Sequence, residues 1–259
     1  VIQKSTVKNV HHLFAIDQEL RILKNLPPHP HIARAHTVLH TERNIFLVLE
    51  ACGAVNLHRF AQRTITHTGE DAIPKDLARS FCEQMSRALS HLHALLFCHR
   101  DIKPTNFLVS DSGETLRLAE FSLVMILCSR QQLLMQCCGS LPFCAPEVLN
   151  QERGGSGYNP FAADIWSLAG TFAELALGPY GMERILGWVP TAEADTDRRH
   201  SDLERLPEIW TIVPDLGIPN LNNMISKMWV LQPSARWTIN DVIGHEGFNL
   251  NILEEERTR

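Results

Sequence analysis

The apolar residues of this chain switch between helical spacing and short continuous runs, and the switches divide it into elements. Leu13, Ile16, Leu20 and Leu23 stand three or four apart, which predicts an amphipathic helix over residues 11–26, stopped by Pro27, Pro28 and Pro30. The unbroken run Ile45-Phe46-Leu47-Val48-Leu49 is too short for a helix and reads as a buried strand, with Glu50-Ala51-Cys52-Gly53 after it as a hinge. Leu77, Phe81, Met85, Leu89 and Leu92 return to helical spacing and predict a long core helix over 75–97. Phe107-Leu108-Val109 and Leu116-Arg117-Leu118, joined through Asp111-Ser112-Gly113, read as a small hairpin. The run from Leu123 to Leu127 reads as a strand packed on the body of the protein, with a plug or docking surface as the alternative. Gly154-Gly155-Ser156-Gly157 breaks the chain before another apolar helix, about 160–177, which Gly178 closes. The remainder to about 250 reads as helices and loops. This order predicts an α+β, bilobal design: a small strand-and-helix lobe over 1–50, a hinge at 51–56, a large helical lobe over 57–250 and a charged tail over 251–259.

Composition narrows the picture without redirecting it. The 259 residues are 44% apolar and 20% charged, enough to bury a large core. The longest apolar stretch, Phe121 to Cys128, is far too short to span a bilayer. A formal charge of −5 supplies no electrostatic ground for binding nucleic acid or an anionic membrane, so neither is expected as a partner. The seven cysteines form no C-x-x-C pair and are odd in number, which fits a reducing, intracellular and cytoplasmic setting better than a disulfide framework. His29, His31, His36, His40, His91 and His93 have no spacing that specifies a metal site and read as surface or packing residues.

The chemistry concentrates in His99-Arg100-Asp101, Lys103 and Asn106, within the run HRDIKPTN. One turn there presents a carboxylate, an ammonium and an amide oxygen, the groups needed by a hydroxyl nucleophile, a transferring phosphate and a metal ion. Ala145-Pro146-Glu147, Asp164 in Asp164-Ile165-Trp166-Ser167, and Arg236 in Pro233-Ser234-Ala235-Arg236 follow in order. On these motifs the chain resembles the eukaryotic protein kinase family from about residue 1 to 248. Lys103 and the Gly139-Ser140 pair resemble the serine/threonine type.

The resemblance implies roles. Asp101 would orient or accept the proton of a protein substrate's hydroxyl, Lys103 would steady the γ-phosphate of ATP, and Asn106 would bind magnesium. Glu147 would pair with Arg236, and Asp164 would hold the backbone of the catalytic loop. Glu19 looks like the helix glutamate whose lysine partner is Lys4, with Lys8 as runner-up. Glu50 and Cys52 of the hinge, with Leu108, would line the nucleotide site. Asn56 and Thr105 stand where kinases that read arginine carry acids, so no preference for basic substrates follows.

Three departures bear on activity. Glu120-Phe121-Ser122, nineteen residues after Asp101, stands where the family has D-F-G, so the second metal ligand would be Glu120, a methylene longer than aspartate. No glycine precedes Gly53, so the family's Gly-rich loop is not in this sequence; its strands would precede Val1, in a longer chain, or be lacking. If Lys4 is the strand lysine, Ile2 would crowd the adenine. Gln136, three before Gly139, cannot take the phosphate that Arg100 normally implies. The expectation is a serine/threonine protein kinase domain; the alternative is a catalytically impaired pseudokinase acting as scaffold or allosteric partner. Oligomeric state and the identity of the protein substrate are left open.

Overall fold

A computed structural model describes residues 2–3, 10–70, 72–189, 196–214 and 216–248. The first lobe is an antiparallel sheet of β1 (Ile2–Gln3), β2 (Ala35–His40) and β3 (Asn44–Leu49) in the order β1-β3-β2, with α1 (Val10–Asn25) beside it. Ile2 pairs with Ile45, and Val38 with Leu47. The inner face of α1 centres on Ile22 and Leu23, both buried. Expected helix and strand are both present; β2 was not expected, and its exposed His36, Thr37, Leu39 and His40 explain why no buried pattern signals it.

After β3 come β4 (Val55–Asn56) and α2 (Leu57–Thr68), whose N-cap Asn56 accepts from Arg59 N at 2.9 Å. In α3 (Lys75–Ala94), Phe81, Met85, Leu89 and Leu92 form the buried stripe their spacing predicts. The helix ends earlier than the expected residue 97. Leu96 takes φ +63°, which turns the chain, and Phe97–Cys98 becomes β5. The physical reason is tertiary: β5 finds an antiparallel partner in β8 (Met125–Ile126), which a further helical turn would forfeit.

Between those two strands lies the expected hairpin, β6 (Phe107–Val109) with β7 (Leu116–Leu118), extended by β4 into a three-stranded sheet. In the apolar run from Leu123 only Met125–Ile126 is strand; Val124 and Leu127 on either side of it are buried against the body of the protein while Ile126 is half exposed. After the short α4 (Pro146–Leu149), α5 (Pro160–Leu177) is the axis of the large lobe. Asn159 caps it by accepting from Phe161 N and Ala162 N, Pro160 sits at its first turn, and Gly178 at φ +77° ends it. Every residue of α5 from Pro160 to Ala176 is buried. A helix buried on every face, with its few polar side chains inside as well, is enclosed by its neighbours. α3, α6 (Gly181–Ile185) and α9 (Leu221–Met228) pack against it, with Trp166 of α5 set against Trp229 at 6.3 Å between ring centroids, and α7 (Thr196–Glu204), α8 (Leu206–Ile209) and α10 (Ile239–Ile243) complete the lobe. Among the described residues, no helix is long and apolar enough to cross a membrane.

Candidate active site

The buried axis holds the loop from His99 to Asn106 by its backbone. Asp164, fully buried on α5, accepts from His99 N at 2.8 Å and Arg100 N at 2.7 Å, and pairs with His93 Nε2 at 3.0 Å. Arg100 lies in the left-handed region at φ +67°, a conformation the carboxylate stabilises by holding both adjacent amides. His99 is enclosed, edge-on to Phe121 at 5.6 Å, with Nε2 3.1 Å from Ala119 O. Burial pushes its imidazole below the ordinary histidine value against the pull of nearby carboxylates, so it is neutral at pH 7.

Asp101 is held from one side. Its Oδ2 lies 2.8 Å from Lys103 Nζ and accepts from Asn106 Nδ2 at 2.9 Å, while Asn106 Nδ2 also reaches Asp101 O at 2.7 Å. Lys103 Nζ donates in turn to Ser140 Oγ at 2.5 Å. Among the described residues, nothing donates to Asp101 Oδ1, although it is buried. Burial raises the carboxyl, but the donors of Lys103, Ser140 and Asn106 around it outweigh that and hold it below its ordinary value. The result is an ionised carboxylate with one oxygen anchored and the other left for an incoming donor.

Asn106 closes a single 3₁₀ turn, Pro104–Asn106, and its carbonyl accepts from Ala119 N at 2.8 Å, which ties the loop to the start of the Glu120-Phe121-Ser122 run. With its amide nitrogen engaged by Asp101, the buried Asn106 has its amide oxygen without a donor among the described residues. Glu120 is exposed at φ +59°, a strained position costing about 1–2 kcal/mol for a residue with a Cβ. Ala119 before it is anchored through its N–H and Phe121 after it is buried. Glu19 of α1 faces this region: burial raises its carboxyl above the ordinary value, and the Glu120 carboxylate adds to the shift. Lys4 and Lys8, the two expected partners of Glu19, lie outside the described residues, as does the side chain of Ile2.

Cys52 and Leu108 meet in a small apolar cluster with Ala33 and Ala119. These two alanines were not foreseen. Ala33 is brought in by backbone pairing, donating to Leu118 O at 2.8 Å, and nothing in its flanking residues marks it. Glu50 sits at the edge with its groups engaged. Its carboxylate meets Arg117 at 2.8 Å, its N–H donates to Arg34 O, and its carbonyl accepts from Cys52 Sγ.

The stretch from Glu120 to Glu147 is anchored at its far end. Arg236, its side chain fully enclosed, grips Glu147 with Nη1 at 2.7 Å and Nη2 at 3.2 Å. A family model described as protein kinase domain matches residues 1–248. The chain belongs to the protein kinase domain family. It is 32% identical over 257 residues to CBL-interacting serine/threonine-protein kinase 15 of Arabidopsis thaliana, covering 98% of this chain and 55% of that protein. It is 28% identical over 242 residues to serine/threonine-protein kinase kin-29 of Caenorhabditis briggsae, covering 92% of this chain and 26% of that one. Against serine/threonine-protein kinase DCLK3 of Homo sapiens it is 27% identical over 253 residues, 95% of this chain and 35% of the relative. This kinase chain therefore spans about a quarter to just over half the length of these relatives. By resemblance it is an enzyme of the serine/threonine protein kinase kind.

Proposed function

We propose that this domain transfers the γ-phosphate of ATP to serine or threonine hydroxyls of a protein substrate. The observation that carries the reading is Asp101, with Oδ2 fixed by Lys103 and Asn106 and Oδ1 buried and unengaged among the described residues. A buried oxygen left without a donor costs free energy in a protein that only needs to fold. A substrate hydroxyl donating to Oδ1 removes that cost and is oriented for attack. Asp101 remains ionised at neutral pH and can take the proton as the new bond forms. Lys103, bridging Asp101 and Ser140, is placed to neutralise charge on the transferring group.

The donor set fits a hard divalent cation. Asn106 offers an amide oxygen and Glu120 a carboxylate, both oxygen donors of the kind magnesium takes. Bound there, magnesium would neutralise phosphate charge on ATP. Cys52, Leu108, Ala33 and Ala119 offer an apolar floor for a flat base. Glu19 would position its expected partner Lys4, whose ammonium would steady the nucleotide's other phosphates.

The Glu120 substitution favours a second reading, a pseudokinase. Burial disfavours ionisation of Glu19 and the Glu120 carboxylate adds to it, which would weaken the pair Glu19 is expected to make with Lys4. Melting the domain with ATP, with and without magnesium, separates the consequences. A ligand bound only by the folded state raises the melting temperature. A magnesium-dependent rise supports the kinase reading; a rise with ATP alone that magnesium does not enlarge favours the pseudokinase.

A further inference from the structure

Kinase activation segments that follow an Arg-Asp pair are commonly ordered by a phosphate that the arginine receives. In this chain the arginine is already occupied. Arg100 Nε donates to Tyr158 OH at 3.2 Å and Nη1 to Leu123 O at 3.2 Å. Nη2 donates to both oxygens of Gln136, the backbone O at 3.2 Å and the side-chain Oε1 at 3.3 Å. Among the described residues no carboxylate bonds this guanidinium, which is only 8% exposed as a residue. A buried cation is tolerated only where oxygens replace its water. Gln136 supplies two of them, in the place of a phosphorylated residue.

The surrounding segment is built to hold that contact. Tyr158 OH donates to Gln136 O at 3.2 Å, closing a ring with Arg100. Leu134 and Tyr158 exchange both backbone hydrogen bonds, at 3.0 and 2.9 Å, two residues before Gln136. Arg130 reaches His93 O at 3.1 Å with its guanidinium over Phe161, and β8 pairs with β5. Ser129 is the only hydroxyl residue between Ser122 and Ser140. It lies exposed in a turn closed by Gln132 N on Ser129 O and by Cys128 N on Gln132 Oε1, seven positions from Gln136.

We propose that Gln136 stands in for an activating phosphate on Arg100, so that the segment is set without phosphorylation. That the segment serves transfer rests on the kinase reading above; that Gln136 orders it does not. Gln136 is a positioning residue, acting through Arg100 and never on substrate.

Hydrogen exchange at residues 132–138 tests this on the whole chain after phosphatase treatment, with intact mass confirming that no phosphate remains. The wild-type amides are expected to be protected. Gln136→Ala and Gln136→Leu should both exchange about tenfold faster there, the worth of one hydrogen bond to a charged group. Gln136→Glu should restore protection to the wild-type level or beyond. That pattern separates hydrogen bonding from packing, because leucine fills the space and glutamate restores the acceptor. Free exchange of the unphosphorylated wild type, equal exchange in wild type and Gln136→Ala, or protection appearing only after phosphorylation of Ser129 would each overturn the proposal. Phosphate transfer is read in parallel, treated against untreated. Equal rates support the proposal, and a loss on phosphatase treatment overturns it. Absence of transfer in every sample, with the exchange pattern intact, counts against the kinase reading while supporting the role of Gln136 in ordering the segment.

Discussion

Replacing Arg236 with methionine removes a cation that five hydrogen bonds hold. Two go to Glu147, at 2.7 and 3.2 Å, one to Ala162 O at 2.7 Å and two to Val230 O at 3.1 and 2.9 Å. The guanidinium also lies 5.0 Å from the centroid of Trp166. Methionine keeps the length and apolar character of the stem, so the loss is chiefly electrostatic. It strands the Glu147 carboxylate, 15% exposed, without its counter-ion. Breaking one side of a buried pair costs roughly 3–5 kcal/mol. At about 2–4 °C per kcal/mol for a domain of this size, that lowers the melting temperature by roughly 6–20 °C. Glu147→Gln should cost less, about 1–2 kcal/mol, because the amide still offers an oxygen and Arg236 keeps its carbonyls. The double variant leaves no stranded charge. Urea unfolding of the four proteins should show it more stable than the summed single losses by at least about 1 kcal/mol. Additivity within about 0.5 kcal/mol, or a negligible effect of Arg236→Met, would refute the claim that this pair anchors the segment.

Three further outcomes follow from other sites. Gly53 has φ +115°, and a Cβ there would lie 1.8 Å from Val109 O, so Gly53→Ala should shift backbone at the hinge and cost at least about 3 kcal/mol in urea unfolding; a loss under 1 kcal/mol would contradict the geometry. Burial raises Glu174 to about 7, against donors at Tyr180 N and Met182 N, so the folded state holds an extra proton between the ordinary carboxyl value and that point. Glu174 therefore contributes stability at acid pH that is lost as pH rises from about 4.5 to 7, and Glu174→Gln should flatten the stability profile in that window; parallel profiles would count against it. Glu120→Asp withdraws the carboxylate from Glu19 by one methylene and should enlarge the magnesium-dependent part of the ATP-induced rise in melting temperature, whereas an unchanged rise would show that Glu120 does not limit metal binding.

Long regular patterns were legible and short or convergent ones were not. The stripe from Phe81 to Leu92 announces its helix because many residues repeat one period, and the long, mostly apolar run of α5 announces its own by length. The Glu147–Arg236 pair was readable across 89 positions only through resemblance, since no local pattern links the two residues. β5 and β8 are two residues each, too short to carry a period, so the helix before β5 looked longer than it is. α2 escaped notice because Thr64, Thr66 and Thr68 dilute an amphipathic stripe that buries only Leu57 and Ala61. Within the site, Asp101, Lys103 and Asn106 share one loop and could be read together. The ring of Arg100, Gln136 and Tyr158 joins three distant segments, and Ala33 meets Ala119 only through backbone pairing. Such convergence belongs to tertiary structure.

The most direct test is phosphate transfer from magnesium ATP to a panel of serine, threonine and tyrosine peptides, comparing wild type with Asp101→Asn. The asparagine keeps the shape and hydrogen bonding of the loop but cannot accept a proton. The predicted result is transfer to serine or threonine, slowed by roughly 10²–10⁴-fold in the variant. Transfer that survives Asp101→Asn undiminished, or transfer to tyrosine alone, would contradict the account.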